Sequence, residues 1–438
     1  MRRSPPDASG CRRLMAASSA ATRAATRAAN GAAAREPASE ATGGRGSSTA
    51  TGIVLIVAAL NVVGLVMILS ASSVLSIRGH GSAWYFVAKQ SVWAALGVGA
   101  LLVASRVDHR RLRALALPAM AVTVFLLVLV LVPGIGTTVS GSTRWITVGP
   151  LSLQPSELAK LALGLFCADL LARREARLGD WRAGLLPVGS ATCLLVALVM
   201  RQPDMGTSVC IVLVAAGCTF ASGVPSRHLL RSGAAVVVVG GLAGWFEPYR
   251  RARLLSFRHP FEQYDGAGYQ LAQSLMGLGS GGARGVGFGQ SRVKWGFLPN
   301  AHTDFIFAVI GEEGGLAGTL FVVGLFVALA WLGVRAAMRA PGRFGTLLAA
   351  GITTWLVGQG LVNICTVVGL APVTGVPMPF VSFGGSALVI SMMAAGVLVN
   401  IARTGELEEA GGAGGARTGG GAAVGPVARR GAKSPSRR

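Results

Sequence analysis

The chain has 438 residues, 52% of them hydrophobic and only 13% charged, with a formal net charge of +22 at pH 7. That balance excludes an ordinary soluble domain and describes a polytopic membrane protein. Much of the positive charge lies at the two ends. Residues 1–50, rich in Ala, Arg, Ser and Gly, cannot bury a core, and neither can residues 404–438, mostly Gly, Ala and Arg. Both are expected to be disordered basic tails lying on an anionic cytoplasmic leaflet. No aromatic residue interleaves their arginines, so nucleic acid is not an expected partner. Arg2-Arg3 resembles the start of a twin-arginine signal, but no apolar stretch follows until Gly52.

A spanning helix needs about 20 mainly apolar residues. Ten stretches qualify, roughly 52–76, 86–104, 113–133, 156–172, 184–200, 206–222, 227–246, 303–334, 344–366 and 384–402. The predicted fold is therefore an all-α polytopic domain over 51–403, with about ten transmembrane helices. A large external loop, about 247–302, separates the seventh from the eighth. Between the third and fourth spans, Pro133, Gly134, Gly136, Thr143 and Pro150 predict turns. Arginines cluster after the second span (Arg106, Arg110, Arg111, Arg113), the fourth (Arg173, Arg174, Arg177, Arg182), the sixth (Arg227, Arg231) and the eighth (Arg335, Arg339, Arg343). The positive-inside rule then places both termini in the cytoplasm. Loop 247–302 breaks the pattern with Arg250, Arg251, Arg253, Arg258, Arg284, Arg292 and Lys294. Long loops translocate largely regardless of charge, so the orientation stands, and the arginines suit a phosphate-bearing ligand.

Five of the six cysteines fall in apolar spans, with no Cys-x-x-Cys and no neighbouring His, which predicts small core residues rather than disulfides or a cysteine-held metal.

Gln154-Pro155-Ser156-Glu157 opens the fourth span, and Glu157 and Lys160 at i, i+3 share a face. They read either as a structural ion pair or as a polar strip facing a pocket with Arg144 at its rim. Trp145 reads as a rim residue or an interfacial aromatic. Asp204, before the sixth span, reads as a helix cap, and Asp169 with Arg173 as a surface pair. The glycine-rich run from Gly277 to Gly289 lacks the context of a nucleotide loop and suits close backbone approach instead. Asp304 stands at the mouth of an apolar helix running to about Val334, with Glu312 and Glu313 two turns deeper. Carboxylates at membrane level are costly, so a function is the default expectation, with helix capping after Pro299 as the alternative reading of Asp304. Glu312 and Glu313 are expected either to pair internally with residues such as Lys160 or to line the same cavity. Asp304 is expected to be ionised and of low pKa at a solvated helix start, and hence a weak base until bound lipid desolvates it.

Together these blocks resemble the SEDS family of polytopic peptidoglycan glycosyltransferases, typified by FtsW and RodA, from about Gly64 to Ile401. The resemblance rests on Ser70-Ala71-Ser72, Arg144-Trp145-Ile146, Gln154-Pro155-Ser156-Glu157, Gln202-Pro203-Asp204, Gly268-Tyr269-Gln270, Gln273-Ser274 and Gly384-Gly385, in order and at matching spacing. Glu247-Pro248-Tyr249-Arg250 and Ala301-His302-Thr303-Asp304-Phe305-Ile306-Phe307 resemble the cell-division branch more than RodA. Phe383 departs from the usual Tyr, Ala387 from a common Ser, and Gly314 from Leu.

The resemblance implies polymerisation of lipid II on the outer face of the cytoplasmic membrane, at the division septum, with a sporulation or elongation paralogue as the alternative. Asp304 would be the catalytic base on the acceptor hydroxyl. Substrate contacts would fall on Arg144, Trp145, Glu157, Lys160, Arg250, Arg253, Gln270, Gln273, Ser274, His302, Thr303 and Ser382. A pyrophosphate leaving group needs charge neutralisation, from Arg250, Arg253 and Arg144 or from a divalent cation, Mg or Mn, shared with a carboxylate. The implied partner is a class B penicillin-binding protein, an FtsI-like transpeptidase whose membrane helix would pack at the eighth and ninth spans, together with other divisome proteins. Competing readings are a lipid II flippase, using Glu157, Lys160, Glu312, Glu313, Gln359 and Asn363, and a scaffold that only activates its partner.

Overall fold

A computed structural model describes residues 48–418 apart from 140, 141, 150 and 247. All ten apolar stretches are helical: α1 (Thr49–His80), α2 (Tyr85–Arg106), α3 (His109–Val130), α4 (Pro155–Arg173), α5 (Leu185–Met200), α6 (Met205–Ala221), α7 (Ser226–Phe246), α10 (Ile306–Met338), α11 (Gly342–Val367) and α12 (Gly385–Thr418). Two further helices, α8 (Pro248–Ser256) and α9 (Tyr269–Gly281), lie in the long connection between α7 and α10. Six helices, α1, α2, α3, α10, α11 and the Gly385–Glu409 part of α12, are long and apolar enough to cross a membrane. The others are shorter or more polar.

Expectation and structure differ in three places. The segment predicted as turns between α3 and α4 is a small antiparallel sheet, β1 (Thr137–Val139), β2 (Ser142–Val148) and β3 (Leu151–Leu153), in the order β1-β2-β3. The domain is thus mainly helical rather than all-α. Its Thr- and Val-rich run favours strands, with the prolines and glycines at their ends. The last helix also runs past residue 403, because its acidic run is paired. Glu406 accepts the Thr49 amide at 2.5 Å, Glu408 pairs with Arg110 at 2.5 Å, and Glu409 with Arg339 at 3.5 Å. Residues 1–47 and 419–438 of the expected tails lie outside the described residues.

The third difference is in α10, which is broken at Gly315 (φ 62°, ψ −157°) rather than continuous. The glycine-rich segment after α9 lies in that break. Leu316 N donates to Gly282 O at 2.9 Å, Val286 N to Glu312 O at 2.9 Å, and Gly287 N to Glu313 O at 3.1 Å. A Cβ on Gly315 would meet Gly285 N at 2.3 Å, so the approach requires glycine. Non-helical backbone at this depth is tolerable because the break's free amides and carbonyls find these partners.

α11 lies at the centre, packed on α4, α6 and α10, while α12 packs on α1 and α2. Trp355, Leu347, Leu348 and Leu356 of α11 are fully buried. The α6–α11 crossing is closed by small residues: a Cβ on Gly217 would stand 2.5 Å from the Thr354 hydroxyl, and one on Gly351 2.5 Å from Cys218 Sγ. Apolar residues such as Leu55, Val62, Phe125, Phe321 and Trp331 point outward, as a lipid-facing surface requires.

Candidate active site

Asp304 sits in a tight turn ahead of α10. Asn300 adopts a left-handed conformation (φ 58°), which Asn tolerates, and its carbonyl accepts the amides of Thr303 at 3.1 Å and Phe305 at 3.3 Å. Three elements remote in sequence fix this turn. Asn363 Nδ2 of α11 donates to Asp304 O at 2.6 Å and to Val376 O at 2.7 Å. Ser382 Oγ donates to Thr303 O at 2.6 Å while accepting Met378 N at 2.8 Å. Phe383 N donates to His302 O at 3.0 Å. Gln90 of α2 braces the same loop through Ser382 O at 3.4 Å and Gly384 N at 3.3 Å.

Asp304 does not cap its helix: Phe305 holds the N-cap position, with no side-chain capping bond. The Asp304 carboxyl lies instead against the 374–376 segment, where a Cβ on Gly375 would stand 3.4 Å from Oδ2. The residue is half-buried, reached from outside yet walled by protein. Burial pushes its carboxyl up to about 6. The Asp204 charge pushes the same way, and the guanidiniums of Arg144 and Arg253 pull against it. The expectation of a low-pKa, solvated carboxylate is therefore corrected: the fold itself desolvates this group. His302 is packed against Phe86 (5.1 Å between centroids) and Phe383 (5.7 Å), and burial pushes it down to about 4. It is neutral at pH 7.

Arg144 on β2 donates from Nε to Gln202 O at 2.9 Å and from a terminal nitrogen to Pro203 O, with its other terminal nitrogen 3.8 Å from Asp204. Asp204 caps α6 as expected, accepting Thr207 N at 3.0 Å, and also receives Gln154 Nε2 at 3.1 Å. Arg144, Arg253, Asp204 and Asp304 thus form one charged cluster with His302, Thr303 and Ser382 beside it. Trp145 follows Arg144 on the strand and is half-buried. Arg250 belongs to α8, three residues from Arg253.

Other residues predicted to touch substrate are spent inside the protein. Glu157 and Lys160 form a closed ion pair at 2.7 Å, 2% and 1% exposed. Lys160 also donates to Gln359 Oε1 at 2.9 Å and lies 4.9 Å over the Trp355 ring. Gln359 Nε2 in turn donates to Pro377 O at 2.8 Å. The pair therefore supports the loop behind Asp304 rather than facing open space. Gln273 donates to the Tyr264 hydroxyl at 2.5 Å and Ser274 to Val367 O at 2.8 Å, both holding α9, while Gln270 is half-buried on the same helix. Glu312 and Glu313 bind neither Lys160 nor the Asp304 cluster. Glu312 accepts Arg292 N at 2.9 Å, Val293 N at 3.4 Å and the Ser291 hydroxyl, and Glu313 accepts Ser70 Oγ at 2.5 Å and Ser291 N at 3.3 Å. They anchor the glycine-rich segment. Sequence reading assigned Asp204 only a capping role and overlooked Gln90; neither has a local signal, since both act through segments distant in the chain.

The comparisons with known proteins follow the same boundaries. The cell cycle protein family FtsW/RodA/SpoVE matches residues 51–406. The chain is 40% identical over 351 residues to a probable peptidoglycan glycosyltransferase FtsW of Mycobacterium tuberculosis, covering 80% of this chain and 67% of that one. It is 38% identical to the stage V sporulation protein E of Bacillus subtilis, covering 80% of this chain and 96% of that one. Among solved structures it resembles a chain of a peptidoglycan synthase complex that coordinates polymerisation and crosslinking, with TM-score 0.68, 30% identity, and 81% and 97% of the two chains covered. It also resembles the rod shape determining protein RodA of Thermus thermophilus, with TM-score 0.60, 30% identity, and 80% and 96% covered. The chain belongs to the FtsW/RodA/SpoVE family and is a multi-pass membrane peptidoglycan glycosyltransferase.

Proposed function

We propose that this chain polymerises lipid II, a lipid-linked disaccharide carrying a short stem peptide, on the outer face of the cytoplasmic membrane during septal wall synthesis. The observation that carries the proposal is Asp304, a carboxyl tuned to about 6 and set among Arg144, Arg253 and Asp204. A general base works best when its pKa lies near the operating pH. Asp304 takes the proton of the acceptor hydroxyl as that oxygen attacks the anomeric carbon of the donor. The bond to pyrophosphate breaks, and the phosphate charge is met by Arg144 and Arg253, with Arg250 one helical turn away on α8. No second acid is needed, because pyrophosphate leaves as an anion.

Mg or Mn would enter this site with the substrate rather than as an ion held by the protein alone. Among the described residues no three His, Cys, Asp or Glu converge to hold one, and such cations commonly bind through one or two carboxylates plus phosphate. The cation would be held mainly by the substrate phosphates and would supply neutralisation of the leaving group, leaving Asp304 to act as the base.

The septal role is favoured by the 40% identity to an FtsW protein, and the 38% identity to stage V sporulation protein E makes the sporulation paralogue the alternative; the arginine distribution favours cytoplasmic termini. A class B penicillin-binding protein is the proposed partner, by analogy with the synthase complex that the fold resembles. A flippase is less favoured. Glu157, Lys160, Gln359 and Asn363, which a polar path would need, are bonded to one another and to the 376–377 carbonyls.

The test is lipid II polymerisation by the purified chain with a partner whose transpeptidase site is dead, comparing wild type with Asp304→Asn. Glycan from wild type alone supports the proposal. Equal glycan from both removes Asp304 as the base, and transbilayer movement of lipid II without glycan favours the flippase.

A further inference from the structure

An open cavity lies outside the Asp304 cluster. It has a volume of about 610 Å³ and is lined by Ser280, Val286, Gln290, Arg292 and Glu312. That volume is in the range of small-molecule sites. Its walls come from the end of α9, the glycine-rich segment and the first half of broken α10, which begins two residues after Asp304. Because the loop is tied into the α10 break by backbone bonds, the cavity is held at a set distance from Asp304.

The chemistry of the walls selects the occupant. The Glu312 carboxylate already accepts from the Ser291 hydroxyl, Arg292 N and Val293 N, so its oxygens are occupied within the protein although its negative charge remains. The Arg292 guanidinium is exposed and makes no ion pair among the described residues, so it is available to an anionic group entering the cavity. A planar guanidinium takes a carboxylate in a two-pronged fashion. The Gln290 amide both donates and accepts, as peptide groups require, and Val286 offers a small apolar wall. A lipid tail would gain little here. Distance agrees: Glu312 lies six residues beyond the helix start at Ile306, about 9 Å along the axis at 1.5 Å per residue, with Asp304 two residues before that start. A stem of about five residues reaches roughly 17 Å when extended.

We propose that this cavity binds the carboxylate-bearing stem peptide of the substrate, with Arg292 on the carboxylate and Gln290 on a peptide group. The inference rests on lipid II being the substrate. It adds a peptide subsite, separate from the sugar and pyrophosphate contacts, on the half-helix that directly follows the Asp304 turn.

The test measures equilibrium binding of two substrates to the full-length protein without turnover: lipid II with its whole stem, and lipid II trimmed to the first stem residue. Arg292→Ala removes an exposed side chain and leaves the backbone bond to Glu312 in place. For the whole-stem substrate its Kd is expected to rise about 10-fold, with a smaller rise for Gln290→Ala. For the trimmed substrate the ratio of variant to wild-type Kd falls to about one. Equal weakening on both substrates, or none on either, overturns the peptide subsite. A protein that shows the expected pattern but makes no glycan retains the subsite and loses the polymerase reading.

Discussion

The burial of Asp304 makes a prediction about stability as well as rate. Its carboxyl is raised from 3.8 to about 6. At about 1.4 kcal/mol per tenfold, that is at most about 3 kcal/mol of penalty on the ionised form, less whatever solvent access relieves. The sign follows from linkage. A carboxylate raised in the folded state burdens folding above pH 6, where it is ionised in both states. The burden fades as pH falls from 6 toward 4 and is absent below the unfolded value. Asp304→Asn is therefore expected to abolish polymerisation yet raise Tm at pH 7.5, with the gain disappearing near pH 4. Wild-type kcat/KM should fall tenfold per pH unit on the acid side, with its limb near 6. Asp204→Asn keeps a residue able to cap α6 but removes a like charge, so it should move that limb lower. Thermal unfolding in detergent and initial-rate polymerisation across pH measure both effects. If the Tm gain of Asp304→Asn is the same at pH 4 as at 7.5, or absent throughout, burial does not tune this carboxyl and the argument fails.

Asn363→Ala removes two bonds, to Asp304 O and Val376 O, and should lower kcat about 100-fold with little change in KM, because the base is misplaced rather than the substrate lost; a KM effect alone would refute this. Lys160→Met leaves Glu157 buried without its partner and should cost about 3–5 kcal/mol of stability, much of it recovered in the Glu157→Gln/Lys160→Met double variant, as a Tm series would show. Gly315→Ala places a Cβ where only 2.3 Å separates it from Gly285 N and at φ 62°, so expression and Tm should both fall, whereas Gly324→Ala, with open space around it, should be neutral. Arg250→Ala should raise the lipid II requirement more than Lys294→Ala, since Lys294 bonds Gly289 O within its own loop; equal small effects would remove Arg250 from the phosphate site.

What the sequence by itself determined was whatever is local or compositional. Helix at ten apolar stretches follows from composition, and six of those helices have the length and hydropathy that a bilayer requires. The helix start at Pro155 and the cap at Asp204 follow from their immediate neighbours, and Asp304 stood out because an acidic residue beside an apolar helix is costly. Only the tertiary structure decided what those groups do. Asp304 owes its raised pKa to walls built by residues 374–376 and to Asp204, far away in the chain. Glu157 and Lys160 close on each other because Trp355 and Gln359 of α11 cover them. Glu312 and Glu313 serve a loop that enters a helix break, which an uninterrupted apolar pattern does not reveal. Periodicity reports which residues must leave water, but the energy of a buried charge depends on the few groups within several ångströms, and folding alone chooses those.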